Sequence, residues 1–216
     1  MSIIPKLAIS LNRRDEVPNQ ELAAEIVSSG DTASVTELVA NLSNKNKGIP
    51  HDCVKVLYEV GYAEPKLIAG HIAAFLPLLT GKDNRMQWGA MTALGCIAKE
   101  KPDEIFAELP SIIEAADRGS VITRDHCVNI LITLSAHAKY ADSTFPLLIE
   151  QLLGCPDNQL AMYAERAMPI IAANNRGRFI DVLSVRLEGI EKPSQRTRVE
   201  KVIRKLAQIT PDKVPT

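Results

Sequence analysis

The residues most able to do chemistry in this 216-residue chain are four histidines and four cysteines, and their spacing keeps them apart. His126 and His137 stand eleven residues apart, about three turns along one helix, too far to share an ion. His51-Asp52 and Asp125-His126 are adjacent in sequence, so their side chains diverge around a helix. Cys53, Cys96, Cys127 and Cys155 form no Cys-x-x-Cys pair and no zinc spacing, and no disulfide framework is implied. There is no His-Glu-x-x-His, P-loop, nucleophile elbow or Gly-x-Gly-x-x-Gly. These residues predict no metal, no cofactor and no enzyme activity, since catalysis needs groups placed to act together.

What must position any other site is a repeat. Leu57, Leu94, Leu131 and Met168 recur every 37 residues. Val60, Ile97, Leu134 and Ile171 keep the same interval, as do the small residues Gly61, Ala98, Ser135 and Ala172. Cys53 and Cys127 alternate with Ala90 and Ala164 in a further column, which reads them as small core residues. A period of roughly 20–50 residues marks one supersecondary unit copied along the chain, each copy burying its apolar face on its neighbours.

Helix and turn signals alternate and no strand-like period appears. Ser34-Val-Thr-Glu37 opens a helix to Leu42 with a capping-box pattern, and Asn44 to Pro50 is a turn. Ile49–Val60 is followed by Lys66–Leu79, which Pro77 should kink, and then by Arg85–Lys99. Later couplets are Pro102–Ala116 with Val121–Ala138, Ser143–Leu153 with Gln159–Asn174, and Arg178–Leu187 with Pro193–Ile209. The expected organisation is one helical-repeat domain over 1–216, with a capping couplet at 1–33, repeats at 34–209 and a frayed tail at 210–216.

Leu76-Pro-Leu-Leu-Thr-Gly-Lys-Asp83 followed by Met86-Gln-Trp-Gly-Ala-Met-Thr-Ala-Leu-Gly-Cys-Ile-Ala98 resembles the HEAT repeat, within the armadillo-like superfamily. The first-helix proline recurs at Pro77, Pro110 and Pro146, with Asp181 in its place in the last copy. The family's turn aspartate matches Asp83, and less closely Asp117 and Asp157, while its arginine matches Arg124 and Arg196. The resemblance implies an all-α superhelix (solenoid) of about five helix pairs whose second helices line a concave face. On those helices Lys55, Thr92, Asn129, Arg166 and Lys201 form one column, and His51, Trp88, Asp125, Met162 and Thr197 lie one turn earlier. Trp88, Lys55, Thr92, Asn129, Arg166, Lys201 and Arg204 are therefore the expected partner-binding ladder, with the lone tryptophan as its anchor.

Composition narrows the partner. The net charge is −1, against a nucleic-acid binder that works by charge alone. From Arg176 onward ten Lys or Arg face five Asp or Glu, leaving a basic end of +5 and a preceding −6. The first 15 residues do not read as a secretory leader, and the longest apolar stretch, Leu67 to Gly81, is shorter than the ~18–20 residues of a membrane span. The expectation is a cytoplasmic, non-catalytic scaffold that holds a protein or peptide on its concave face. The alternative is a nucleic-acid protein similar to the HEAT-like alkylpurine DNA glycosylases, in which Trp88 and Asp125 would take the stacking and catalytic places.

Overall fold

A computed structural model describes residues 2–208. The chain is 80% helical, with twelve α-helices and no strand among the described residues. They are α1 (Val17–Ser29), α2 (Thr32–Ala40), α3 (Gly48–Ala63), α4 (Ile72–Phe75), α5 (Asn84–Ile97) and α6 (Pro102–Ala107). Then come α7 (Leu109–Arg118), α8 (Val121–Ser135), α9 (Ala138–Gly154), α10 (Asp157–Ala167), α11 (Ala173–Glu188) and α12 (Pro193–Ala207). The chain divides into two units, Met1–Ile130 and Leu131–Thr216. The tail at 210–216, like Ile209, lies outside the described residues.

In the first unit the repeat columns point inward. Cys53, Leu57 and Val60 of α3 and Ala90, Leu94 and Ile97 of α5 are fully buried. Backbones approach closely where glycine permits it: a Cβ on Gly89 of α5 would meet Val54 Cγ2 of α3 at 2.9 Å. α3 thus packs on α5 along one flank and on α1 along the other.

The second unit keeps the pattern only in part. Leu131, Leu134 and Ala164 are fully buried, but Met168 and Ile171 are half-buried. Pro169 has no N–H to continue the helical ladder, and α10 ends at Ala167 in a 3-10 turn over Met168–Ile170. The helix expected over Gln159–Asn174 is therefore two elements, and α11 begins at Ala173. Arg186 of α11 ties this unit together. Its guanidinium donates to the carbonyls of Leu152 at 2.9 Å and Cys155 at 2.8 Å, and pairs with Asp157 at 2.6 Å. It so satisfies carbonyls at the end of α9 that have no intrahelical partner.

Three prolines in one repeat column meet three fates. Pro77 does more than kink its helix: Pro65–Thr80 is a string of 3-10 turns around the single α-turn of α4. Pro110 opens α7, dividing the expected Pro102–Ala116 in two. Pro146 stays inside α9, which runs unbroken from Ala138. The capping box at Ser34 gives way to another cap: Asp31 accepts the Ser34 N–H at 3.0 Å and α2 starts at Thr32. Glu37 instead accepts from the Ile3 N–H at 3.1 Å and the Ser2 hydroxyl, which binds the N-terminal segment.

Leu94→Ala should lower unfolding free energy by roughly 2–5 kcal/mol in urea titrations. Arg186→Ala should cost about 1–3 kcal/mol by stranding carbonyls and a carboxylate, and Arg186→Lys should recover little, because an ammonium cannot reproduce the planar fork.

Candidate functional site

The residues with the most binding chemistry gather where α1, α3 and α5 meet. On α3, His51, Lys55, Tyr58, Glu59 and Tyr62 recur at i, i+4, i+7, i+8 and i+11, one stripe about 16 Å long. On α5, Arg85, Trp88 and Thr92 recur at i, i+3 and i+7. Glu16, at the N-cap position of α1, adds a carboxylate.

Lys55 is the hub. Although 5% exposed, its ammonium lies 2.7 Å from Glu16, donates to Glu59 at 2.6 Å and sits 4.9 Å above the Tyr58 ring. Burial works against its charge, but the hydrogen bonds to Glu16 and Glu59 outweigh it and raise the pKa. Lys55 therefore remains an ammonium throughout the physiological range. Tyr58 is buried and stacks obliquely on Trp88, with ring centroids 5.6 Å apart, and edge-on to Tyr62 at 5.9 Å. Trp88 is half-buried and Tyr62 is 58% exposed. Together they present an aromatic surface fixed from below by Tyr58 and bordered by the Glu16 and Glu59 carboxylates.

Beyond Lys55, His51 Nε2 lies 2.7 Å from Asp83, whose carboxylate also accepts the Arg85 and Met86 N–H groups and caps α5. The His51 hydrogen bond, followed by those backbone amides and opposed by partial burial, holds the Asp83 carboxyl below its ordinary value. The His51–Asp83 pair joins the first turn of α3 to the N-terminus of α5. Among the described residues no three His, Cys, Asp or Glu are placed to hold a metal ion. Burial pushes the Cys53, Cys96 and Cys127 thiols up to about 12, far from the thiolate form a nucleophile requires.

Two members of the expected ladder need correction. Lys55 and Thr92 are not solvated: Lys55 is enclosed by its carboxylates, and Thr92, 1% exposed, donates its hydroxyl to the Trp88 carbonyl at 2.8 Å. Helical spacing placed both on a polar face, but α1 covers α3 on the flank where Lys55 points. Trp88 lies in the site, resting on Tyr58 as well as facing solvent. Asn129 and Asp125 are half-buried on α8. In the second unit Arg166 of α10 and Lys201 and Arg204 of α12 are exposed. Arg198, Lys201, Arg204 and Lys205 share the outer side of α12, opposite the buried Val199, Val202 and Leu206. Arg198 forks onto Glu165 at 2.9 and 2.6 Å. Sequence spacing missed Glu16, Tyr58, Tyr62 and the His51–Asp83 pair. Tyr58 and Tyr62 were open to it, because they lie one and two turns beyond Lys55 on the same face.

Lys55→Ala should destabilise the first unit by about 1–3 kcal/mol, since charged hydrogen bonds are lost and Glu16 and Glu59 are left facing each other. Asp83→Asn keeps a cap for α5 but loses the charge opposite His51. Because the folded pKa of Asp83 is depressed, its contribution is present above the unfolded value of 3.8 and disappears as pH falls through the folded value. Asp83→Asn should therefore flatten the loss of stability below about pH 4, read from urea midpoints across an acid series.

No family model matches the chain, and no curated protein matches it in sequence. Solved structures do match in fold. The crystal structure of an engineered protein is similar at a TM-score of 0.63 and 18% identity, over 95% of this chain and 99% of that one. A designed armadillo repeat protein matches at 0.64 and 13% identity, over 94% of this chain and 99% of that one. Another, in complex with the peptide (KR)4, matches at 0.65 and 13% identity, over 87% and 86%. With this geometry and these likenesses, the chain has the HEAT/armadillo-like helical repeat fold.

Proposed function

We propose that the protein is a non-catalytic, cytoplasmic scaffold that binds a protein or peptide on the face formed by α1, α3 and α5. The observation that carries this is the aromatic surface of Trp88 and Tyr62, held in place by Tyr58. Large aromatic rings that are already ordered lose little entropy on binding and dominate contact energies. The peptide complex of a designed armadillo protein supports the reading through fold alone. The four free cysteines, with Cys53, Cys127 and Cys155 buried and Cys96 half-buried, fit a reducing compartment. Arg166, Lys201 and Arg204 enter the proposal as a field that speeds encounter with acidic partners.

The test is selection of a random peptide display library on the full chain, followed by surface plasmon resonance with the enriched peptides. Tyr62→Ala and Trp88→Ala should each weaken binding by about 2 kcal/mol, mainly through faster dissociation. Lys201→Ala should slow association at low salt only. Unchanged kinetics in both aromatic variants would place the interface elsewhere and overturn the reading of this face.

A further inference from the structure

Next to the aromatic face, a cleft of about 360 Å³ opens between the Arg13–Glu16 segment, the first turn of α3 and Arg85. Its carboxylates are already committed. Asp15 takes both prongs of Arg13 at 2.9 and 2.7 Å, Glu16 holds Lys55 at 2.7 Å, and Asp52 accepts the Ile9 N–H at 2.7 Å. The donors are not committed to the same degree. Arg14 makes no ion pair or hydrogen bond among the described residues. The Arg85 guanidinium comes no nearer to Asp52 than 4.0 Å, beyond the reach of a charge-assisted bond. Asn19, fully buried in the cleft wall, uses its Oδ1 to accept the Ala8 N–H at 3.0 Å and leaves its Nδ2 without a partner. The cleft therefore holds donors that its own carboxylates do not satisfy, among them the Arg14 and Arg85 guanidinium groups.

We propose that this cleft receives one anionic side chain of a bound peptide segment, a carboxylate or a phosphoryl group, held by Arg14 and Arg85. Arg is suited to this because its planar fork matches both groups. Asp15, Glu16 and Asp52 around the cleft repel a polyanion, so a single charge between neutral neighbours fits where a nucleic-acid backbone does not. Glu16 links the two sites, since it lines the cleft and holds the lysine over Tyr58. The inference rests on the reading of the α1, α3 and α5 face as peptide-binding and gives that peptide its charge.

The experiment is an NMR titration of the full chain with three capped tripeptides, alanine-X-alanine, in which X is glutamate, phosphoserine or glutamine. Glutamate or phosphoserine should shift the Arg14 and Arg85 Nε–H signals and the Ile9 amide saturably. Glutamine should bind at least about fivefold more weakly, as loss of charge-assisted bonds requires. Arg14→Gln with Arg85→Gln should abolish the response while leaving the amide spectrum of α8 unchanged. Tighter binding of phosphoserine names a phosphorylated segment, and parity or preference for glutamate names an acidic one. No saturable shift with either anion, equal binding of glutamine, or an unaltered response in the double variant overturns the inference. The two readings fail separately: unchanged kinetics in Tyr62→Ala and Trp88→Ala overturn the aromatic one, whereas display-selected peptides that need Tyr62 and Trp88 but carry no anionic residue would sink the cleft alone.

Discussion

An ammonium group enclosed by helices has to be neutralised where it stands, and the groups that neutralise Lys55 are those that join the helices. Glu16 brings the start of α1 to α3, Glu59 closes the pair from the next turn of α3, and Tyr58 lies beneath the charge. Tyr58 is then fixed in the orientation that supports Trp88 on one side and Tyr62 on the other. A single buried charge thus sets the position of the aromatic surface. The close approach of Gly89 to Val54 does the same from below, by setting how near α5 lies to α3.

The repeat gives each couplet the same apolar columns but not the same backbone. A proline inside a helix removes one hydrogen bond and crowds the carbonyl four residues earlier, and the surroundings decide how the chain responds. Around Pro77 the chain breaks into 3-10 turns; at Pro110 it begins a new helix; at Pro146 the seventeen-residue α9 absorbs the defect. The Met168–Ile171 turn has the same origin in Pro169, and it turns two core positions into half-exposed ones. Arg186 matters in that setting because α9 ends with unsatisfied carbonyls, and a guanidinium from α11 can satisfy several at once.

Charge follows a different logic in the two units. In the first, most charged groups at the site are paired with specific neighbours: Lys55 with two glutamates, His51 with Asp83, Arg13 with Asp15. In the second, the cations of α12 stand on its solvent side, where pairs such as Arg198–Glu165 are screened and contribute little to stability. Paired charges orient groups for contact, whereas an exposed basic stripe acts at a distance and before contact.

The 37-residue period by itself determined the all-α class and the buried columns through Leu134, because burying one apolar face per turn is a local property of helical spacing. The place of Asp83 in the turn before α5 was legible through the resemblance to the HEAT repeat, because it depends only on its own helix and the turn before it. Lys55 and Thr92 were not, since helical spacing tells which side of a helix is polar and not which neighbour covers it. The Glu16–Lys55, His51–Asp83 and Arg186–Asp157 pairs join residues about thirty or more positions apart on different helices. Only the packing of whole helices brings such groups within hydrogen-bond distance, so the tertiary structure alone decided which charges are neutralised, which aromatics are held, and where a cleft remains with donors to spare.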